Sequence, residues 1–172
     1  MERNPIPIEA LTVKAYSLWE KQWLLLTSGD FAAGRFNCMT ISWGSLGVMW
    51  GRPFVQVVVR PQRYTREFME KYPTFTVCTF PEAYRPALNL LGTRSGREMN
   101  KMADSGLTPQ AASAVAAPVY AEADLAIECR KIYWQDFDPD HFIDIKIKQN
   151  YPRQDYHRMY FGEIVAVSEI QL

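Results

Sequence analysis

Long apolar runs, closely spaced cysteines and an excess of charge are all missing from this sequence. No stretch approaches the roughly 18 apolar residues of a membrane span, and the first residues are polar, unlike the apolar core of a secretory signal. Cys38, Cys78 and Cys129 lie far apart without CxxC spacing, which argues against a zinc ribbon or a disulfide scaffold. These absences predict a cytoplasmic protein that does not associate with a membrane.

The charges balance, with 19 basic and 19 acidic residues, so a generally basic surface for nucleic acid is not expected. Hydrophobic residues make up 48% of the chain and charged residues 22%, which disfavours disorder. A chain of 172 residues is long enough for one well-buried core. We therefore expect a single domain over residues 1–172 and no nucleic-acid partner.

Several catalytic signatures are also missing. The sequence has no HExxH, no Walker loop, no GxGxxG fingerprint and no supported Ser-His-Asp pattern. One of the two histidines, His141, follows a turn-like Asp-Pro-Asp segment without an identifiable third ligand, so no metal site is expected.

Most of the chain has strand patterns. The β-branched run at 53–59 is bounded by Gly-Arg-Pro and Arg-Pro, which is typical of a buried strand. Further strands are predicted at 23–27, 36–43, 75–80, 123–134, 142–148 and 158–168. The alternation at 142–148 predicts that Ile143, Ile145 and Ile147 face inward. Residues 1–10 carry two prolines and are expected to lie on the surface outside the core.

Helices are predicted to be few and short. Residues 65–71 fit a helix capped by Thr65, residues 84–91 a helix that ends at Gly92, and residues 98–103 a helix stopped by Ser105 and Gly106. Residues 15–20 are ambiguous, and 111–117 fit either a mobile connection or a loose helix. Six or more strands without regular βαβ alternation predict a mainly β fold, a closed or half-closed antiparallel barrel.

One corner of this predicted barrel has the chemistry of an anion site. Arg60 and Arg63 follow the buried strand, and Tyr64 and Thr65 come where a turn enters a helix. Such a turn would direct backbone N–H groups, a hydroxyl and guanidinium charge at one point. The pattern favours binding of an anion such as a phosphate.

Four segments together carry a family resemblance: Asn37-x-Met-Thr-x-Ser-Trp43, Arg60-Pro-x-Arg-Tyr-Thr65, Phe75-Thr-Val-Cys78 and Thr93-x-Ser-Gly-Arg-x-x-x-Lys101. In this order and spacing the sequence resembles the flavin reductase-like family of FMN-binding split barrels, which includes flavoredoxin. The resemblance implies an antiparallel, Greek-key type split β-barrel that holds FMN non-covalently, usually as a homodimer with the flavin near the interface. Many such proteins pass hydride from NAD(P)H to flavin, and others carry electrons between protein partners.

The resemblance also implies which residues bind the cofactor. Arg60, Arg63, Tyr64 and Thr65 would hold the phosphate, with a second loop approaching the phosphate or ribityl chain, and backbone groups near residues 39–42 and 78–79 would bond the ring edge. The full expected set is Asn37, Met39, Thr40, Ile41, Ser42, Trp43, Arg60, Arg63, Tyr64, Thr65, Cys78, Thr79, Ser95, Gly96, Arg97 and Lys101.

Simpler interpretations stay open for several of these residues. Thr40 and Ser42 fit ordinary strand positions, the two arginines fit surface ion pairs, and Cys78 fits a small buried apolar residue. His157 is a candidate for orienting nicotinamide or tuning the flavin, although its pattern favours a structural histidine. Without a GxGxxG fingerprint, NAD(P)H would be held loosely against the flavin face. Three functions remain: a flavin reductase, an FMN electron carrier, or a flavin-free binding module.

Overall fold

The structure, a computed structural model, describes residues 3–170 of the chain. Ten β-strands form within that range, two of them very short. Their bounds are β1 Arg3–Ile6, β2 Leu24–Asp30, β3 Arg35–Ile41, β4 Gly44–Met49, β5 Arg52–Val59, β6 Thr74–Thr79, β7 Pro109–Gln110, β8 Val119–Tyr120, β9 Leu125–Asp136 and β10 Arg158–Ile170. All recorded pairings are antiparallel, which confirms a mainly β fold.

Helices are short and lie at the edges of the sheet. The α-helices are α1 Ala15–Ser17, α2 Thr65–Lys71, α3 Arg85–Thr93 and α4 Lys101–Ser105, and a π-helix continues α1 at Leu18–Gln22. Short 3-10 helices occur at Ile8–Ala10, Glu82–Tyr84, Pro139–His141 and Ile145–Asn150. Within residues 3–170, no helix has both the length and the apolar character needed to cross a membrane.

The large sheet runs in the order β3-β2-β6-β9-β10-β5-β4. The long strand β10 divides one of its edges between two partners, because Arg158 to Glu163 pair with β5 and the last residues pair with β1. Its other edge pairs with β9, with irregularities after Phe161 and Ile164. The sheet therefore changes its neighbouring strand along one edge of β10, from β5 to β1. Strands β3 and β4 are the two end strands of the order.

Two buried clusters stabilise this arrangement. One lies on the inner face of the curved sheet and includes Leu24, Val57, Phe75 and Tyr160. The second lies between the sheet and α3 and includes Cys78, Leu88 and Tyr120. Burial of apolar surface on this scale is the main source of folding free energy.

The prediction of a strand at 142–148 is wrong. These residues lie in the connection between β9 and β10, where Ile143 is 102% exposed and Ile145 is 74% exposed. The Asp144 side chain accepts a hydrogen bond from the backbone N–H of Lys146 and starts the 3-10 turn. Aspartate competes for local backbone donors in this way, so the alternation of isoleucine with polar residues does not produce a strand.

The N-terminal prediction is also wrong for the described residues, while Met1 and Glu2 lie outside them. Arg3–Ile6 forms an edge strand on β10, and an edge position tolerates Pro5. The Arg3 guanidinium donates to the backbone oxygens of Tyr120, Ala123 and Ser168. These bonds fix the segment to the sheet.

Helix ends differ from the predictions in detail. Thr65 is the first residue of α2 and makes no side-chain cap, because its hydroxyl accepts a hydrogen bond from Asn37 instead. Helix α3 runs through Gly92 to Thr93, and the short helix after it begins at Lys101. The stop at Gly106 is confirmed, with φ of 72°, a left-handed conformation that glycine adopts readily.

Candidate functional site

The ends of β3 and β5 open into a cavity of about 210 Å³, called here the β3–β5 cavity. Strand β3 enters it with residues 39–41, and the backbone then leaves the sheet at Ser42 and Trp43. Strand β5 contributes its end and the arginines that follow. The lining residues are Met39, Thr40, Ile41, Ser42, Trp43, Val58, Arg60, Arg63 and His157.

A second cavity of about 350 Å³ lies between the start of α2 and the end of α3, and is called the α2–α3 cavity. It shares Met39, Arg60 and Arg63 with the first cavity, so the two adjoin. Its lining residues are Met39, Arg60, Gln62, Arg63, Tyr64, Thr65, Thr93, Arg94, Ser95 and Lys101. The structure therefore brings three of the four predicted segments to one place.

Lys101 is only 5% exposed, although it carries an ammonium group. Its Nζ donates to the backbone oxygens of Leu91 at 3.0 Å and Arg94 at 3.2 Å, at the C-terminal end of α3. Burial lowers the pKa of Lys101, and the nearby positive charge of Arg63 lowers it further. No carboxylate within residues 3–170 forms an ion pair with Lys101.

Arg63 is a second cation of this cavity whose recorded hydrogen bond goes to a backbone oxygen. Its Nη1 donates to the backbone oxygen of Gly92 at 2.6 Å, and across the described chain it has no acidic partner either. Burial lowers the pKa of Arg63, and the charge of Arg60 lowers it further. Arg63 and Lys101 thus line the α2–α3 cavity as cations that repel one another and that only backbone oxygens compensate.

Arg60 is placed at the site but is engaged differently. Its Nη1 lies 2.6 Å from a carboxylate oxygen of Asp155, and its Nη2 donates to the backbone oxygen of Asn150 at 2.8 Å. The guanidinium also lies 5.0 Å from the centre of the Tyr151 ring. The ion-pair interpretation therefore holds for Arg60, which fastens residues 150–155 beside the cavity.

Thr65 and Asn37 form a buried pair below the α2–α3 cavity. The Asn37 amide donates to the Thr65 hydroxyl at 2.8 Å, and Thr65 is 1% exposed. Gly96 packs directly on this pair, because a Cβ at this position would lie 2.4 Å from the Asn37 side-chain oxygen. Asn37 thus positions Thr65 and requires glycine at position 96.

Thr40 lines the β3–β5 cavity, but its hydroxyl donates to the backbone oxygen of Leu88. This bond attaches β3 to α3. The strand interpretation of the Thr40 side chain therefore holds, and its backbone is the part available to a ligand.

His157 is buried at the wall of the β3–β5 cavity. Its Nδ1 lies 2.8 Å from the hydroxyl of Tyr151, and its ring centre lies 5.2 Å from that of Trp43. Burial lowers the pKa of His157 to about 4, assisted by the charge of Arg60. At neutral pH this histidine therefore carries no charge.

Cys78 and Thr79 line neither cavity. Cys78 belongs to the apolar cluster under α3, and its position in β6 pairs with Leu25 on one side and Ala126 on the other. Burial raises the pKa of the Cys78 thiol to about 12. The backbone of this residue is paired on both sides, so the proposed site omits Cys78 and Thr79.

Asn37, Gly96 and Arg97 lie on the far side of Tyr64 and Lys101, at a third cavity. Arg97 pairs with Glu67 and covers the Tyr64 ring at 4.7 Å. Gln62 and Arg94 line the α2–α3 cavity and were not among the expected site residues, although both fall inside the segments that carried the resemblance. Tyr151 and Asp155 were missed as well, and no sequence signal marked them.

Solved structures with the same fold share this architecture. The FMN-binding domain of a flavin reductases-like enzyme from Shewanella baltica superposes with a TM-score of 0.70 at 19% identity, over 98% of this chain and 77% of that one. Flavoredoxin of Desulfovibrio vulgaris gives 0.68 at 22% identity, over 96% and 78%. An NADH:FAD oxidoreductase of Streptomyces globisporus gives 0.66 at 15%, over 87% and 75%.

These similarities define the class of fold as the split barrel of the flavin reductase-like proteins. No curated protein matches the chain significantly. The family model described as "Flavin reductase like domain" matches residues 20–171. The chain belongs to the flavin reductase-like domain family, which confirms the resemblance in the sequence.

Proposed function

We propose that this chain binds FMN non-covalently and passes hydride to it from NAD(P)H. The phosphate would be held in the α2–α3 cavity by Arg63 and Lys101, with the hydroxyls of Thr65 and Ser95 at the same wall. The ring system would occupy the β3–β5 cavity against the backbone of residues 39–42. Family membership supports flavin as the ligand.

One observation carries the proposal: Lys101 is buried, Arg63 beside it is partly buried, and neither has a carboxylate partner in the described chain. Burying cations together costs free energy that backbone oxygens compensate only in part. A phosphate dianion offers both charge and acceptor oxygens, and such charge-assisted hydrogen bonds are about twice as strong as neutral ones. The residues present therefore fit the phosphate end of FMN.

Bound FMN supplies the hydride acceptor of the reaction. The protein binds and orients it, and no side chain has to act as acid or base for the hydride itself. The neutral His157 adds no positive charge beside the ring cavity, and Arg60 is paired with Asp155, so Arg63 supplies the positive charge there. Positive charge near a flavin favours its anionic reduced form.

The test is an absorption spectrum of the FMN-loaded protein, followed by addition of NADH or NADPH without oxygen. The proposal predicts that the oxidised flavin band bleaches with at least one nicotinamide. A stable holoprotein that neither nicotinamide bleaches would overturn the reductase function while leaving FMN binding intact. A purified protein that remains colourless and shows no saturable change with FMN would instead support the flavin-free binding module.

A second candidate function is an FMN electron carrier that serves protein partners. It is favoured by the similarity to a flavoredoxin and by the lack of a nucleotide fingerprint for the nicotinamide. It predicts slow reaction with both nicotinamides and fast reduction by a protein donor. A holoprotein that reacts rapidly with NADH would count against it.

We extend the proposal to a homodimer in the cytoplasm. Trp50 is 62% exposed and Tyr133 is 40% exposed, and their ring centres lie 5.7 Å apart. Contiguous exposed aromatic surface is typical of interaction sites. Light scattering should give twice the monomer mass for the wild type and a lower mass for Trp50→Ser. The three cysteines are free and buried, as suits a reducing compartment.

A further inference from the structure

The connection between β9 and β10 exposes three isoleucines within five residues. Ile143, Ile145 and Ile147 are 102%, 74% and 38% exposed. Single exposed apolar residues are ordinary on a protein surface, whereas a cluster of them is typical of an interaction site. These isoleucines, together with Lys146 and Lys148, are called here the isoleucine patch.

Hydrogen bonds hold the backbone of the isoleucine patch in one conformation. The Asp144 carboxylate accepts from the N–H of Lys146 at 3.0 Å, and the Asn150 amide donates to the backbone oxygen of Ile147 at 3.1 Å. Arg60 donates to the backbone oxygen of Asn150 at 2.8 Å. The isoleucines are therefore presented to solvent by an ordered segment that is fastened to the rest of the protein.

The isoleucine patch adjoins the β3–β5 cavity, where the proposed function places the flavin ring. Phe142, the residue before the patch, stacks on Tyr151 with ring centres 5.9 Å apart and planes inclined by 9°. The Tyr151 hydroxyl lies 2.8 Å from Nδ1 of His157, which lines the cavity. Three aromatic side chains in succession thus lead from the patch to the cavity. Electron transfer slows steeply with distance, so a redox partner has to dock close to the flavin.

The charge around the isoleucine patch is positive. Residues 143–153 contain three exposed cations, Lys146, Lys148 and Arg153, against one carboxylate, Asp144. None of these cations forms an ion pair with another residue in the range 3–170. The whole chain has no net charge, so this excess is local. An apolar surface with basic residues around it is complementary to an acidic partner.

From these observations we infer that the isoleucine patch docks a small acidic one-electron carrier protein, which passes electrons to FMN in the β3–β5 cavity. Two molecules of the reduced carrier each give one electron and solvent gives one proton, so that oxidised FMN becomes its anionic, two-electron-reduced form. The inference rests on the proposed binding of FMN and names the partner of the electron-carrier function. An anionic lipid surface would also attract basic and apolar residues, but the succession of aromatic side chains that leads to the cavity favours a redox protein.

The charge of the patch is tested by stopped-flow absorbance of the FMN-loaded protein mixed with a reduced, acidic plant-type ferredoxin without oxygen. The second-order rate constant for flavin reduction should fall as salt is added. Lys146→Glu combined with Lys148→Glu should slow the reaction about tenfold or more at low ionic strength. Lys14→Glu combined with Lys21→Glu is the matched control, because both lysines are exposed, line none of the described cavities and change the net charge equally. This control should change the rate less than about twofold.

The apolar part of the patch is tested with Ile145→Ser, at a residue that is 74% exposed. Loss of this side chain from the docked complex should slow the reaction about tenfold and leave its salt dependence unchanged. Val48→Ser, at a 73% exposed residue of β4, is the control and should have little effect. FMN affinity and the reaction with NADH should be the same in all of these variants, because none of the replaced residues lines the flavin cavities.

The other outcomes separate this inference from the proposed function. If the holoprotein reacts with NADH but the ferredoxin reduces wild type no faster than the variant with both patch lysines replaced, the inference is wrong and the reductase function stands. A protein that binds no FMN would overturn both. Equal slowing by the control pair of lysines would mean that net charge acts without a docking site at the patch.

Two further measurements identify other occupants of the patch. A lower mass of Ile145→Ser than of wild type in light scattering would identify the patch as a contact with a second copy of this chain. Sedimentation with vesicles of anionic phospholipid that is lost when both patch lysines are replaced would identify a membrane surface. Either result would overturn the inference of a carrier protein.

Discussion

The hydroxyl of Tyr151 lies 2.8 Å from Nδ1 of His157, and both residues are buried. A tyrosine hydroxyl that donates to Nδ1 leaves the proton of a neutral imidazole on Nε2. Burial lowers the pKa of His157 to about 4, which agrees with a neutral ring. Tyr151 is itself held by Arg60, which lies over its ring, and by Phe142, which stacks on it. This relationship fixes the chemical state of one wall of the ring cavity.

Replacing Tyr151 by phenylalanine should raise the pKa of His157 from about 4 toward its usual 6.5, because Nδ1 loses the donor that stabilises the neutral form. Burial and the positive charges of Arg60 and Arg63 still lower the pKa, and outweigh the charge of Asp155, which raises it, so the value should not reach 6.5. Histidine NMR titration measures this, with His157→Asn to assign the signal. An unchanged pKa would show that the hydroxyl does not determine the protonation state.

The depressed pKa of His157 also makes stability depend on pH. The unfolded chain binds this proton near pH 6.5, whereas the folded protein binds it only near pH 4. Stability from this group is therefore complete above pH 6.5 and is lost as the pH falls toward 4, by at most about 1.4 kcal/mol per pH unit. Urea unfolding should show a flatter dependence over this range for His157→Asn, and identical slopes would contradict the assignment.

Gly96→Ala should disturb the pair of Asn37 and Thr65. The added Cβ would lie 2.4 Å from the Asn37 side-chain oxygen, so the asparagine must move and its bond to Thr65 is lost. We expect a loss of about 1–3 kcal/mol in the free energy of unfolding and weaker FMN binding. In an Asn37→Ala background the same change should cost less, because the clashing oxygen is gone. Additive effects would show that the two positions do not interact.

Glu128 holds the segment at residues 111–117. Its carboxylate accepts hydrogen bonds from the N–H and hydroxyl of Ser113 and from the N–H of Ala114, and the residue is 1% exposed. Glu128→Ala should lower the free energy of unfolding by about 3 kcal/mol, because buried donors lose a charged acceptor. Hydrogen exchange should rise first at Ser113 and Ala114. Protection that is unchanged there would mean that other contacts hold the segment.

Much of the fold follows from local sequence patterns, and the exceptions have identifiable causes. The β-branched run of β5, bounded by Pro53 and Pro61, correctly predicted a buried strand, because β-branched residues favour strands over helices. The alternation at residues 142–148 is equally regular, yet it does not form a strand. The Asp144 side chain accepts a hydrogen bond from the backbone N–H of Lys146, and that N–H is then not available to a neighbouring strand. The alternatives for residues 111–117 could not be resolved because Glu128, which fixes this connection, lies on the distant strand β9.

The site, like the fold, was predicted where it depends on local segments and was missed where it depends on contacts between distant residues. The clustering of Arg63, Thr65 and Lys101 agrees with the segments that carried the family resemblance. The pairing of Arg60 with Asp155 depends on a long-range contact that neither segment encodes. Cys78 lies next to a strand end in the sequence, yet its strand turns it toward the cluster under α3. Residue types therefore identified the chemistry of the site, and only the topology determined which cations have no acidic partner among residues 3–170.

The most direct test of the central claim is the change in affinity for FMN and for riboflavin when Arg63 is replaced by alanine. Loss of one charge-assisted contact to phosphate should weaken FMN about 10- to 100-fold and change riboflavin affinity by less than about twofold, because riboflavin has no phosphate. Arg153→Ala, at an exposed arginine outside the cavities, should change neither affinity. Equal losses for the two ligands in Arg63→Ala would contradict a phosphate site at Arg63.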